Sequence, residues 1–211
     1  MRKILQTIPV QQSGKKSDII ERITARKGDN AMIMYHTACD RLLNINGWKE
    51  ISQGLSAEFC LIDPEGNKKA SLPGVGDYIR IDIPGLGPAA GGGYDWVKIE
   101  LIEREESPET GFYALAVRVR PAADPLMQKG TAHFFNEHAT SSFIIQCQNR
   151  VISATIHGRN EKPNVQVGSF LEKFRNFFTG TGAKAAISEI QWTNLLKGIL
   201  TLRPSSTSTI N

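Results

Sequence analysis

The clearest alternation of apolar and polar positions lies at residues 77–83, where Ile79, Ile81 and Ile83 face one way and Tyr78, Arg80 and Asp82 the other. A period of two over that length marks a strand with one buried face. Residues 95–103 repeat it, with Val97, Ile99 and Leu101 set against Lys98 and Glu100. Residues 57–62 read as a short strand, followed by Asp63-Pro64-Glu65-Gly66, a type I turn with Pro second and Gly fourth. Residues 112–120 are apolar on both faces early and basic on one face late. Residues 143–148 and 151–157 read as a hairpin around Asn149-Arg150, where Asn suits a positive φ.

The period changes on both sides of this region. Ser17-Asp18 reads as the cap of a short helix through Ala25, with Ile19, Ile20 and Ile23 at helical spacing. Asp29 or Asn30 opens a second helix to about Leu43, whose Ile33, Met34, Ala38 and Leu42 share one face. Asn44, Asn46 and Gly47 stop it, and Trp48 is expected to fold back as a core anchor. Beyond Gly158 two capping boxes occur, Ser169-Phe170-Leu171-Glu172 and Ser188-Glu189-Ile190-Gln191. Each precedes an amphipathic stripe, Phe170 to Phe178 and Trp192 to Ile199, read as a core seam rather than a cofactor box.

This pattern predicts an α+β fold: a small antiparallel β-barrel or strongly curved sheet flanked by N-terminal and C-terminal helices. Residues 1–28 are expected to form a basic, partly disordered arm. Residues 29–202 form one domain, with a β core at 56–160 and C-terminal helices at 168–200. The Ser/Thr-rich tail 203–211 is expected to be disordered.

Composition and charge bound this picture further. The 211 residues, 40% hydrophobic and 22% charged, suit a globular chain. No apolar run approaches the roughly 20 residues of a membrane span. Gln6, Thr7 and Pro9 interrupt the basic opening well before a secretory signal could form, so a cytoplasmic location is expected. Cys39, Cys60 and Cys147 are scattered, which argues against a disulfide framework or a structural zinc site. The net charge of +4 resides wholly in the first 30 residues, the remainder being neutral. Nucleic acid is therefore not expected as a partner except through residues 1–30, and no membrane partner is expected.

Candidate chemistry is sparse. The stretch Gly85-Leu86-Gly87-Pro88-Ala89-Ala90-Gly91-Gly92-Gly93 follows a strand but leads into another strand, not the helix a phosphate loop must open. It reads as a hairpin connection over a barrel mouth. The densest polar constellation is His133, Glu137 and His138 together with His157, Arg159, Asn160 and Glu161. Three imidazoles and a carboxylate could bind a catalytic zinc ion, yet the H-x4-H spacing is not that of a metalloprotease helix. No G-x-S-x-G motif supports a serine nucleophile.

The strings Gly76-Asp77-Tyr78-Ile79-Arg80-Ile81-Asp82-Ile83-Pro84-Gly85, Tyr94-Asp95-Trp96-Val97-Lys98-Ile99-Glu100, Arg118-Val119-Arg120-Pro121 and His157-Gly158-Arg159-Asn160-Glu161 resemble those of an uncharacterised family of bacterial proteins of similar length. The resemblance spans about residues 45–200 and implies no activity, cofactor or catalytic residue.

The reading is a non-enzymatic binding or protein-interaction module for a protein or small-molecule partner, without a cofactor. Its contacts would be the Gly-rich loop and the cluster His133, Glu137, His138, His157, Arg159, Asn160 and Glu161. One alternative is a small metal-assisted hydrolase using the 133–161 histidines. The other is a nucleic-acid-associated protein tethered by its basic N-terminal arm.

Overall fold

A computed structural model describes residues 2–26, 28–52, 57–82, 94–127, 137–162 and 183–201. The strands are β1 (Lys15–Thr24), β2 (Glu58–Ile62), β3 (Tyr78–Asp82), β4 (Asp95–Ser107), β5 (Phe112–Pro121), β6 (Thr140–Gln148) and β7 (Val151–Glu161). The helices are α1 (Gly28–Leu43), α2 (Trp48–Ile51) and α3 (Ala183–Leu200). All seven strands join one antiparallel sheet in the order β1-β7-β6-β5-β4-β3-β2.

The expected α+β class is present, and the sheet is not a closed barrel. β1 and β2 stand at opposite edges and do not pair with each other among the described residues. Local breaks in register, between Ile99 and Leu101 on β4 and between Lys15 and Ser17 on β1, mark bulges that bend the strands.

The largest correction concerns residues 17–25. They form strand β1 rather than a helix, and the burial alternates residue by residue. Ile19 and Ile23 fit a helix face and a strand face equally well, being four apart. Ser17, Ile19, Glu21 and Ile23 share the half-buried side, while Ile20, Arg22 and Thr24 face out. The β-branched run Ile19-Ile20, Ile23-Thr24 breaks the tie in favour of a strand. The sheet therefore begins at residue 15, not 56, and α1 and α2 are inserted after its first strand.

The segment before β1 is also built into the fold. A 3-10 turn at Lys3–Thr7 lies on the outer face of the sheet. There Ile4, fully buried, packs with Phe112, Ala114, Ala116 and Ile144. The backbone N–H of Ile4 donates to Glu105 Oε2 at 2.7 Å, and Thr7 O accepts from Arg118 Nη1 and Ser142 Oγ, each at 3.2 Å. The Arg2 guanidinium sits 3.4 Å from the centroid of the Phe112 ring.

The inner face carries the main core, with α1 and α3 packed across it. Ile79, Ile99, Leu115, Val117, Ile145 and Ile152 are all at most 2% exposed. Trp48 is a core anchor, as expected, and its Nε1 donates to Leu42 O at 3.1 Å. Gly198 lets α3 run against α2, because a Cβ there would lie 2.0 Å from Ile51 O. Arg41 of α1 donates to Gly198 O and Ile199 O at 3.2 Å, satisfying carbonyls at the C-terminus of α3.

The β2–β3, β4–β5 and β6–β7 segments follow the alternation in the sequence. Gly66 N donates to Asp63 O at 3.0 Å in the expected turn, and Asn149 has φ 56° in the expected hairpin. The Gly-rich segment 85–93, the first C-terminal stripe at 169–178 and the tail 203–211 lie outside the described residues.

Candidate functional site

The sheet is antiparallel, so the starts of β4 and β6 meet the ends of β5 and β7 at one end of it. A cavity of about 100 Å³ opens on the inner face there. Trp48, Phe59, Phe143 and Trp192 line it. Their rings adjoin in a circuit with centroid separations of 5.2 Å (Trp48–Phe59), 6.2 Å (Phe59–Trp192), 5.8 Å (Phe143–Trp192) and 5.2 Å (Trp48–Phe143). The rings are tilted by 45° to 65°, so none stacks flat and space remains between them. Ile79, Ile81, Val97, Val119 and Pro121 continue the apolar wall.

Four polar residues interrupt it: Asp95 at the start of β4, Thr140 and Ser141 at the start of β6, and Glu161 at the end of β7. Glu161 arrives there through a specific backbone device. Ser17 pairs with Gly158 and Lys15 with Glu161, so β7 holds one residue more than β1 across that interval. Asn160 absorbs it with φ 57°, an αL conformation that non-glycine residues adopt at a cost. The bulge turns Glu161 onto the inner face, and Gly158 leaves it room. A Cβ on Gly158 would lie 2.3 Å from both Glu161 Oε1 and Ser17 Oγ. Burial pushes the Glu161 carboxyl above its ordinary value, against the opposing pull of the Ser17 hydroxyl, Lys15 and Arg159.

The residues singled out in the sequence divide between this cavity and the joint that holds β1 to β7. Asn160 belongs to the joint: its Oδ1 accepts from Gln12 N at 2.7 Å and Ser13 N at 3.1 Å, and its N–H donates to Gln11 Oε1 at 3.0 Å. Arg159, 7% exposed, donates to Ser17 O at 3.0 Å and to Asp18 Oδ1 at 2.7 Å. His157 Nδ1 lies 2.5 Å from the same Asp18 oxygen. Burial raises the Asp18 pKa, but hydrogen bonds from His157 and Arg159, with the Arg159 charge and Lys16, outweigh it and hold the carboxyl below its usual range.

Glu137 and His138 stand on the surface, 3.8 Å apart. His133 lies outside the described residues. Among the described residues no group of three or more His, Cys, Asp or Glu side chains is arranged to hold a metal ion. Two of the three cysteines are poor nucleophiles: burial pushes the Cys39 thiol up to about 11 and raises that of Cys147. Several cations of the N-terminal segment have internal partners, Lys3 with Glu103 and Lys16 with Asp18.

Glu161 stands out in the sequence, but the cavity behind it does not. Trp48 and Trp192 read there as core, which they are, and as nothing more. Asp95 opens a strand of clean alternation and is visible only as part of that pattern.

No family model and no curated protein matches the chain. Among solved structures it is similar to a crystal structure of a Thermus thermophilus protein, with 13% identity, 88% of this chain and 94% of the other covered, and a TM-score of 0.42. A ginseng major latex-like protein from Panax ginseng aligns with 11% identity over 86% of this chain and 99% of its own, with a TM-score of 0.30. A Staphylococcus epidermidis protein solved in solution aligns with 12% identity over 92% and 95%, with a TM-score of 0.33. No described helix is long and apolar enough to cross a membrane.

Proposed function

We propose that this chain is a binding module that takes a small, mainly apolar ligand into the cavity between the inner face of its sheet and its helices. The cavity itself carries this reading. Four aromatic rings and a wall of aliphatic side chains line about 100 Å³ that the described side chains leave unfilled. Apolar cavities with a few convergent polar groups are the usual form of a small-molecule site. The size sets a scale, since a cavity of about 150 Å³ lined by Leu, Ile and Phe holds benzene. The described cavity is smaller than that, which limits the enclosed part of a ligand to at most about one ring.

Trp48 and Trp192 line the cavity, so tryptophan fluorescence reports its occupant. Benzyl alcohol titrated into the wild-type protein is expected to change that emission saturably. Val119→Phe, which places a ring in the cavity from β5, is expected to abolish the change while the protein still unfolds cooperatively. Equal binding by wild type and Val119→Phe would show that the probe sits elsewhere and would sink the reading.

A further inference from the structure

Resting on the binding-module reading, we propose that the cavity selects an organic ammonium ligand, a protonated amine on a ring-sized apolar body, seated between the carboxylates of Glu161 and Asp95 and the aromatic circuit. Two independent features point to the sign of the charge. The first is the wall chemistry. Among the described lining residues there are two carboxylates, Asp95 and Glu161, and no lysine, arginine or histidine. The cations nearest Glu161, Lys15 and Arg159, do not line the cavity. Lys15 is exposed opposite it in register, and Arg159 bonds Asp18. A carboxylate ligand would meet like charge on the cavity wall, whereas an ammonium would meet its counter-ion.

The second feature is the rings. Trp48, Phe59, Phe143 and Trp192 bound the same space, and aromatic faces attract a desolvated cation through their quadrupole. An alkylammonium head is well suited to such walls because its substituents are apolar while its charge is spread over them. Rings and carboxylates favour the same sign.

The placement of Glu161 is also more elaborate than a structural tie would need. Its nearest described hydrogen-bond partner is Ser17 Oγ, at 3.3 and 3.4 Å from its two oxygens. Those are long contacts for a charged acceptor, which normally draws a hydroxyl to about 2.5–2.7 Å. Yet an αL asparagine and a glycine are both committed to turning this carboxyl inward. A half-buried carboxylate with so weak a partner is costly unless something else completes its shell. An ammonium group does so.

Three probes of matched shape test this at pH 7 by tryptophan emission: benzylamine, benzyl alcohol and benzoate. Benzylamine is expected to bind roughly tenfold or more tightly than benzyl alcohol, the range of a charge-assisted hydrogen bond, with benzoate weakest. Glu161→Gln and, separately, Asp95→Asn should each lower the affinity for benzylamine severalfold and leave benzyl alcohol unchanged. The ranking in wild-type protein stands as a test even if either variant fails to fold. Benzoate binding as tightly as benzylamine would overturn the proposal, as would an amine preference that survives both substitutions. If benzyl alcohol binds without any amine preference, only this inference fails. If no probe binds at all, the binding-module reading fails and takes this one with it.

Discussion

The two faces of strands β5 and β6 solve the same problem in opposite ways. On the outer face the side chains are short, with Ala114, Ala116 and Ser142 between Phe112 and Ile144, and the N-terminal segment lies directly on them. Ile4 packs against them and is itself fully buried. On the inner face the side chains are large, from Val119 through Phe143 to the rings of Trp48 and Trp192, and they leave a cavity. Small residues make a sealed surface and large ones an open space. The difference lies in complementarity: the outer face has a strap of matching shape, while the inner rings meet at angles that prevent close stacking.

That contrast can be broken from either side, and the larger effect is expected on the sealed face. Ile4→Ala removes a fully buried side chain at a site with no slack and should cost about 2–4 kcal/mol. Val119→Phe adds volume on the inner face, where overpacking a dense core would cost about 1–3 kcal/mol. Because the cavity receives the ring, its cost should fall below that range. Urea denaturation of the two variants decides the matter. A Val119→Phe loss equal to that of Ile4→Ala would mean that the inner space cannot accept a ring.

A smaller effect tests how Glu161 reaches the cavity. Gly158→Ala sets a methyl group where Glu161 Oε1 and Ser17 Oγ now lie. The carboxyl, at the end of a flexible side chain, must swing away, so a cost of about 1–2 kcal/mol is expected rather than a failure to fold. Benzylamine affinity should drop with it, while benzyl alcohol binding persists. Unchanged amine affinity would detach the Gly158 vacancy from the site.

Legibility in the sequence follows the strength of local patterning. β3, β4 and the β6–β7 hairpin have strict alternation or a turn residue with its own backbone preference, and all form where expected. β1 is ambiguous because Ile19 and Ile23 satisfy both periods, and the β-branched preference of its residues is realised through pairing with β7. The N-terminal segment is illegible for a related reason. Its order comes from Ile4, Thr7 and Gln12 meeting strands more than 100 residues away, which no window of sequence displays. The cluster at 157–161 is conspicuous as chemistry, yet His157 and Arg159 secure β1 and Asn160 the segment just before it. Glu161 differs from them through one αL residue, a conformational fact that a list of polar side chains cannot convey.

The smallest expected effect sharpens the comparison within the β1–β7 pair itself, where two carboxylates have opposite fates. Asp18, on the outer side, is held below its ordinary value by His157 and Arg159, although burial acts against them. Its contribution to stability is therefore present above about pH 4, the unfolded value, and is lost as pH falls through the depressed folded value. Glu161, on the inner side, is raised by burial. Between its raised folded value and the unfolded value near about 4.3, the native state binds more protons than the unfolded state, so stability falls as pH rises. Glu161→Gln removes that penalty without changing shape. Denaturation at pH 7.5 should find the variant as stable as wild type or slightly more so, by less than about 1 kcal/mol once solvent screening is allowed for. At pH 4.5, close to the unfolded value, the gain should shrink, because the folded wild-type carboxyl takes up its proton as pH falls through its raised value. A variant clearly less stable than wild type at pH 7.5 would show that Glu161 is a structural tie to Ser17. A gain confined to neutral pH would mark it as a charge held in the cavity against its own preference, awaiting a cation.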